Sequence, residues 1–361
     1  MSLDPYRAKR DQRKTPEPVP ADGGPKVDHT GNDQGDRGDT FVVQEHHATA
    51  LHWDLRLERD GVLVSWAVPK GLPLDPKTNH LAKQTEDHPR DYAGFAGEIP
   101  KGEYGGGRVT IWDSGTYELA KWSASEVMFV LHGGRVQGRY VLFRTGDRDW
   151  MLHRMDPPPP GWTALPRGLR PMLATAGALP REEDDWSIEV AWGGVRVLVA
   201  VYGGRLTITD GDEGTVTGSY PELRGLGLAL GSRQVLLDGE IVALGAGGRP
   251  DPAMLRARAR VGRPGAALLR DSPVQLMVLD LLHLDGASLL ETGYHDRRAA
   301  LESLELAGDH WQVPPAFPGG GAAVLDAARE QGLPGVVAKR RDSTYRPGRR
   351  TRDWRSITPR R

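Results

Sequence analysis

The sequence has 361 residues, 47 Lys and Arg against 48 Asp and Glu, and no cysteine. The lack of cysteine excludes disulfides, thiolate metal sites and a cysteine nucleophile, and the net charge of -1 argues against a nucleic-acid-binding protein that is basic throughout. The length allows two domains with separate cores, and no apolar run approaches the roughly 18 residues of a membrane-spanning helix, so we predict two domains and no membrane association.

Residues 1–38 form the first distinct segment. They are rich in Asp, Lys, Arg, Pro and Gly and contain almost no large apolar side chains. Such a segment buries too little surface to offset the entropy of ordering it, and its first 12 residues lack the apolar core of a secretory signal. We therefore expect a mostly disordered arm on a cytoplasmic protein.

Residues 39–155 contain short β-rich runs instead. Several runs are separated by hairpin signals and helical periodicity is scarce, which is typical of a small sandwich or barrel. The runs are TFVVQE, LHWDLRLE, VLVSWAV, GRVTIWD, EVMFVL, RYVLFRT and WMLHRM.

A proline-rich linker is predicted at 156–167, because the polyproline stretch within MDPPPPGW lacks the donors that a sheet needs. Residues 168–361 then read as an α+β domain. Its expected strands lie at 187–191, 195–202, 235–244 and 274–282, and its expected helices at 296–306 and 321–331.

The stretch EHHATALHWDLRLE contains a possible metal site. In a β-strand, His52, Asp54 and Arg56 share one face while the alternating apolar residues enter the core. His46, at the end of the preceding strand, adds a second imidazole. Two imidazoles and a carboxylate suit manganese, zinc or ferrous iron, so an oxygenase site remains open at this point, as does a strand face with surface histidines.

The loops that follow favour phosphoryl chemistry. They bring Lys70, His88, Tyr92 and Lys101 into proline- and glycine-rich segments, where a backbone can approach a ligand closely. Together with Arg56, these side chains form a cationic, donor-rich set. Such a set balances the charge that develops on a phosphoryl group, which an oxygenase does not need.

These motifs, with KTPEP at 14–18 and EDHPRDYAGFAGEIPKGEYGGGRVTIWD, resemble the 3'-phosphoesterase domain of bacterial DNA ligase D. The resemblance implies a small β-barrel that uses manganese to remove a 3'-terminal ribonucleoside and then the 3'-phosphate. It further implies three metal ligands, His46, His52 and Asp54, and a set of catalytic residues: Arg56, His88, Tyr92 and Lys70. His80 departs from the family, which usually has arginine there. A protonated histidine can still bind phosphate, so we expect weakened rather than abolished chemistry.

The second half resembles the adenylation domain of ATP-dependent ligases of the ligase D type, through SYPEL, LLDGEIVAL, MVLDLLHLDG and GVVAKRRDSTYRPGRRTRDW. In that family a lysine attacks ATP and carries AMP covalently. The lysine position aligns with Ala191 and its neighbouring aspartate position with Gly193. Because Lys339 is the only lysine after Lys121 and matches a different family position, the resemblance implies a domain that cannot adenylylate itself.

Other family positions are also changed, since the glutamate before GVVAK aligns with Pro334, and we expect no C-terminal oligonucleotide-binding domain of the kind the family has. Glu240 and Lys339 remain as residues of a residual nucleotide pocket. ATP is therefore a second candidate cofactor, after the divalent metal. The stretch 339–361 holds Lys339 and nine arginines against two aspartates. We expect Arg346, Arg349 and Arg350 to contact DNA phosphates there.

The leading hypothesis is therefore a manganese-dependent enzyme that heals DNA 3' ends during double-strand-break repair, fused to a ligase-like domain without its nucleophile. The family suggests DNA ends, Ku and a separate ligase or polymerase as partners, and a nucleoid location. Two alternatives remain open: an active ATP-dependent ligase, and a DNA-end-binding scaffold without catalysis.

Overall fold

A computed structural model describes residues 3–11, 13–20, 38–212 and 214–359. The chain divides into two compact units between Pro160 and Gly161, a point inside the predicted linker. Asp156 accepts a hydrogen bond from the backbone N–H of Arg139, and Thr163 donates one to the carbonyl of Gly286, so each end of this segment is bound to its own unit.

The first unit is a closed antiparallel barrel. Eight strands follow one another in the order β1-β2-β3-β4-β10-β9-β8-β7, and pairing of β1 with β7 closes the ring. The short β6 pairs antiparallel with the start of β7, and β5 pairs with β3. The elements are α1 (Asp4–Arg7), β1 (Thr40–His47), β2 (Leu51–Arg59), β3 (Val62–Val68), β4 (Asn79–Gln84), β5 (His88–Pro89), a 3₁₀ helix (Arg90–Gly94), β6 (Gly97–Ile99), β7 (Gly107–Trp122), β8 (Glu126–Gly133), β9 (Gln137–Arg144) and β10 (Asp149–Arg154).

Alternation along β2 produces the barrel core. Trp53, Leu55 and Leu57 are at most 1% exposed and pack with apolar residues from the other strands. Successive side chains of a strand point to opposite faces, so the polar residues between them lie on the other face. The sequence pattern therefore determined which face of β2 bears the chemistry.

The expectation of a disordered arm is wrong for residues 3–11 and 13–20, while 21–37 lie outside the described residues. Helix α1 buries Tyr6 completely in a cluster with Leu63, Tyr92 and Phe95, and the Tyr6 hydroxyl donates to the carbonyl of Pro18. Average composition failed here because one aromatic ring and a few charge pairs supply the contacts that order the segment.

The second unit is α+β and contains two sheets. One has the order β11-β22-β21-β12-β20, and the other β14-β13-β15-β16-β19-β18, with β17 on β16. The elements are β11 (Leu173–Ala176), β12 (Trp186–Ala191), β13 (Val195–Tyr202), β14 (Arg205–Asp210), 3₁₀ helices (Thr217–Ser219, Pro221–Leu223), α2 (Arg224–Leu230), β15 (Val235–Ala243), a 3₁₀ helix (Ala246–Gly248), α3 (Pro252–Ala259), α4 (Ala266–Asp271), β16 (Val274–Leu284), β17 (Ala287–Ser288), α5 (Tyr294–Glu302), β18 (Ala307–Gly308), β19 (Trp311–Gln312), β20 (Ala316–Pro318), α6 (Gly321–Glu330), β21 (Gly335–Arg340) and β22 (Arg350–Ile357).

The four strands and two helices expected in this unit are present; the strand at 195–202 has the expected ends, and the other elements have shifted ends. Helix α5 stops at Glu302 rather than 306, because Ser303 caps it and Glu305 adopts a positive φ of 49°. Within the described ranges, no helix is both long and apolar enough to cross a membrane.

Candidate active site

Strands β1 and β2 bring the three predicted metal ligands together. Their antiparallel register sets His46 directly opposite His52, and Asp54 follows on the same face of β2. One ligand atom from each of the three residues lies within 4.8 Å of the other two. His46 and Asp54 are buried, and the His52 side chain is only 22% exposed.

Hydrogen bonds orient both imidazoles toward the carboxylate. Nε2 of His46 donates to the carbonyl of Gly105 at 2.8 Å, and Nδ1 of His52 donates to that of Ala50 at 2.9 Å. A carbonyl only accepts, so the remaining ring nitrogens carry no proton in neutral imidazoles. These nitrogens, Nδ1 of His46 and Nε2 of His52, lie 3.6 and 3.7 Å from Asp54 oxygens. Unprotonated nitrogens backed by carbonyl acceptors are suited to a divalent transition metal.

Asp54 is held as an anion. Burial alone raises its pKa, but the guanidinium of Arg56 and the two histidines hold the pKa of Asp54 well below its usual range. Arg56 donates to Asp54 Oδ2 at 2.9 Å, to Gln44 Oε1 at 2.7 Å and to Ser65 Oγ at 2.9 Å. Three of its five N–H groups are therefore occupied, so Arg56 positions the ligand carboxylate as well as bordering the cavity.

His88 and Tyr92 line the same cavity, which has a volume of about 180 Å³. Burial, and then the guanidiniums of Arg56 and Arg10, lower the pKa of His88 well below its usual value. Its Nδ1 donates to the carbonyl of Glu86 at 2.8 Å, which leaves Nε2 unprotonated. Burial likewise raises the pKa of the Tyr92 phenol, so this hydroxyl stays protonated at neutral pH.

The N-terminal segment completes the cavity wall, and sequence reasoning missed these residues. Arg10 donates to Glu17 at 3.0 Å and to Glu86 at 3.2 Å, and Glu17 also accepts from the Tyr92 hydroxyl at 3.0 Å. All three charged side chains are at most 4% exposed. The motif KTPEP, which carried part of the resemblance, was the available signal.

Three expected phosphate binders lie elsewhere. Lys70 is exposed in the turn after β3, and Lys101 is exposed near Glu103. Neither lines the cavity as the structure describes it, and neither does His80. His80 donates to the carbonyl of Gly71 at 2.6 Å, and burial lowers its pKa. Phosphate binding by protonated His80 therefore stays a prediction.

In the second unit, Ala191 ends β12 opposite Gly335 of β21. Lys339 pairs with Ser187 in the same ladder, four residues away or roughly 13 Å along the strands. The Lys339 ammonium is 2.9 Å from Glu189, donates to the carbonyl of Leu279 at 3.1 Å and lies 4.3 Å from the Trp354 ring centroid. It is thus a paired, buried cation, four residues along the ladder from Ala191, where the resemblance led us to expect the family's lysine.

Glycine and proline are in close proximity in the turn after Ala191. Gly193 has φ +72°, and a Cβ at this position would lie 2.8 Å from Cγ of Pro334. Glu240 accepts from the backbone N–H groups of Gly194, at 2.7 Å, and of Trp192. These two hydrogen bonds tie the turn to β15. Burial raises the pKa of Glu240 despite the nearby Arg196.

The three arginines predicted to bind DNA lie on the loop before β22 and at its first residue, and all are exposed. Arg346 pairs with Glu291 at 3.0 Å and Arg350 donates to the carbonyl of Ala174. The backbone of Arg349 is tied to Arg346 and Leu173. The patch is therefore solvent-accessible and partly fastened to the unit.

The DNA Ligase D 3'-phosphoesterase domain family matches residues 44–144, and the ATP dependent DNA ligase domain family matches residues 171–357. The multifunctional non-homologous end joining protein LigD of Mycobacterium bovis is 45% identical over 354 residues, which are 97% of this chain and 44% of the relative. The corresponding protein of Pseudomonas aeruginosa is 33% identical over 405 residues, covering 97% of this chain and 46% of the relative.

Among solved structures, mycobacterial DNA ligase D complexed with ATP and MES is 39% identical, with 53% of this chain and 60% of that chain covered and a TM-score of 0.46. The chain spans less than half the length of the two curated relatives. Both halves match in sequence, and the ligase match alone covers more than half of the chain. The chain belongs to the DNA ligase D family and carries a 3'-phosphoesterase domain followed by an ATP-dependent DNA ligase domain.

Proposed function

We propose that the protein is a metal-dependent DNA 3'-phosphoesterase that removes a 3'-terminal ribonucleoside and then the 3'-phosphate during repair of double-strand breaks. The observation that carries this proposal is one small cavity into which His46, His52, Asp54, Arg56, His88 and Tyr92 all converge. A metal triad of two imidazoles and one carboxylate, beside a guanidinium, a third imidazole and a phenol, suits an anionic phosphate ester.

We assign the metal to Nδ1 of His46, Nε2 of His52 and the Asp54 carboxylate, with manganese as the family's ion. When bound, a divalent ion supplies positive charge that polarises a phosphoryl oxygen and activates water. Arg56 keeps Asp54 ionised and directed at the two imidazoles, while its free N–H groups remain available to a phosphate oxygen. The carbonyls of Gly105 and Ala50 hold the ring orientations.

His88 is assigned a proton-transfer role that depends on the substrate. In the free protein, burial and two neighbouring arginines keep its Nε2 unprotonated. A bound phosphate dianion offsets the charge of those arginines, so we expect His88 to take up a proton on binding and return it to the leaving oxygen. Tyr92, protonated throughout, donates its one hydroxyl proton to Glu17 in the free protein, so we expect a phosphoryl oxygen of the bound substrate to take over that hydrogen bond.

A primer-template whose primer ends in one ribonucleotide, incubated with manganese, tests the proposal. We expect the intact chain to trim this end and His52→Ala to lose the activity. His153→Ala is the matched control, because His153 is a β10 histidine of the same barrel that bonds Asn79 outside the cavity. Failure of the intact chain to trim, or equal trimming by His52→Ala, contradicts the assignment.

For the second unit we propose a DNA-docking role without self-adenylylation. Ala191 has no nucleophile, Lys339 is committed to Glu189, and Arg346, Arg349 and Arg350 present an exposed cationic patch. In this role the unit holds a break end near the barrel at the nucleoid, with Ku and a separate ligase or polymerase acting on the healed end. Binding of duplex DNA whose affinity falls steeply with salt supports the docking role.

An active ATP-dependent ligase is the second candidate, favoured by the family match over residues 171–357. Incubation of the intact chain with labelled ATP and a divalent metal separates the two. We expect no covalent AMP adduct, and a labelled protein band resistant to denaturation would establish the ligase instead.

A further inference from the structure

Tyr104 is the exposed aromatic residue of the cavity. It is 48% exposed, whereas Tyr92 and His88, which line the same cavity, are 2% and 3% exposed. About half of this large residue is thus left in solvent in the cavity that contains the metal triad. The roles assigned above to His88, Tyr92 and Arg56 do not use this ring.

The backbone around Tyr104 is anchored to the metal site. The next residue, Gly105, accepts the Nε2 proton of His46 at 2.8 Å. Gly107 packs so closely on the end of β1 that a Cβ there would lie 2.2 Å from the carbonyl oxygen of His47. Hydrogen bonds from Glu103 to Pro100 and from Gly106 to Glu103 close the intervening turn. These contacts therefore fix the backbone of Tyr104 relative to His46.

Cations from the N-terminal segment lie against the ring. The Lys9 ammonium is 4.2 Å from the ring centroid and 3.1 Å from the Tyr104 hydroxyl, and the guanidinium of Arg10 is 5.5 Å from the centroid. These contacts hold the ring in place while about half of the residue stays accessible. A fixed aromatic surface, bordered by cations at the mouth of an anion-binding cavity, matches a nucleotide, which has a flat base and a phosphate.

We propose that Tyr104 is a substrate-binding residue on which the base of the 3'-terminal nucleotide stacks while its phosphate enters the cavity. The inference rests on the proposed function and deepens it, because it assigns the substrate class as a base-bearing 3' end rather than a simple phosphomonoester. Stacking uses the π-face that every base has. Tyr104 therefore selects for the presence of a terminal base and not for its identity.

The test compares two primer-templates ending in a 3'-phosphate, one with an ordinary terminal nucleotide and one whose terminal sugar is a base-free tetrahydrofuran. The intact chain, Tyr104→Phe, Tyr104→Leu and the control Leu119→Ala are assayed with manganese. Leu119 is a 42% exposed apolar residue outside the cavity. Removal of the ring or of the base alone is expected to raise KM about 5- to 150-fold.

The combination of Tyr104→Leu with the base-free end is expected to raise KM no further. Tyr104→Phe keeps the ring and should keep the difference in KM between the two ends, and Leu119→Ala should behave as the intact chain. An unchanged KM in Tyr104→Leu overturns the inference, as does a further rise in KM when ring and base are both removed. An equal loss of kcat on both ends overturns it too, because the ring would then only support the loop that orients His46.

A binding measurement distinguishes failure of this inference from failure of the proposed function. Kd for the two ends is measured by fluorescence anisotropy with metal removed by EDTA, where no turnover is needed. If the intact chain trims neither end, the proposed function fails. A Kd that distinguishes the two ends only when the ring is present still supports Tyr104, and equal Kd values for both ends overturn it.

Discussion

The narrow space between Gly193 and Pro334 gives a direct test of how the turn after Ala191 is packed. We predict that Gly193→Ala destabilises this unit by about 2–5 kcal/mol. A left-handed φ costs an L-residue roughly 1–2 kcal/mol, and Gly193 has φ +72°. The added Cβ would lie 2.8 Å from Cγ of Pro334, and overpacking of this kind costs typically about 1–3 kcal/mol.

Replacement of Pro334 isolates the contact. In a Pro334→Ala background, Cγ is absent, so Gly193→Ala should cost only the backbone contribution of roughly 1–2 kcal/mol. The change in unfolded-chain entropy caused by Pro334→Ala occurs in both halves of the double-mutant cycle and cancels. The expected coupling energy is therefore about 1–3 kcal/mol.

Hydrogen exchange measured by mass spectrometry on the full chain, following peptides that cover β12 and β21, reports the local opening free energy of this unit. Equal costs of Gly193→Ala in the two backgrounds would refute the reasoning. In that case Pro334 does not restrict side chains at 193, and the two departures from the family are independent.

Three further predictions concern Ala191, Glu17 and His88. Ala191→Lys alone should form no covalent adduct with labelled ATP, because position 193, where the family has aspartate, still has no side chain and Pro334 leaves no room for one. An adduct at the level of an active ligase would show that the turn still supports the reaction. Glu17→Ala should lower the free energy of unfolding of the barrel by about 1.5–3 kcal/mol, since the buried Arg10 guanidinium loses one charged hydrogen-bond partner and keeps Glu86; denaturant unfolding with a loss below about 1 kcal/mol contradicts the buried pair. The pKa of His88 lies below its ordinary value of 6.5 in the folded state, so the unfolded chain binds the proton first and stability falls as pH drops below about 6.5. His88→Asn should reduce this loss of stability between pH 7.5 and 5, and an identical pH dependence in the variant would argue against a depressed pKa.

The sequence by itself determined the features that depend on spacing. Alternation along β2 placed Trp53 in the core and Asp54 on the chemical face, because strand side chains alternate whatever surrounds them. The identity of one residue, Ala191, was enough to predict the missing nucleophile. The polyproline stretch likewise predicted a domain boundary, since proline lacks the donor that a sheet needs.

Tertiary structure alone decided which polar residues meet. Arg10 and Glu86 are 76 positions apart and Tyr92 and Glu17 are 75 apart, so no local pattern reveals that they form one buried network. Composition predicted disorder where Tyr6 is buried, because it averages over residues whose burial depends on distant partners. For the same reason the sequence did not reveal that Lys70 lies away from the cavity and that Tyr104 lines it. Only the folded loops determine which exposed side chain lies beside the metal ligands.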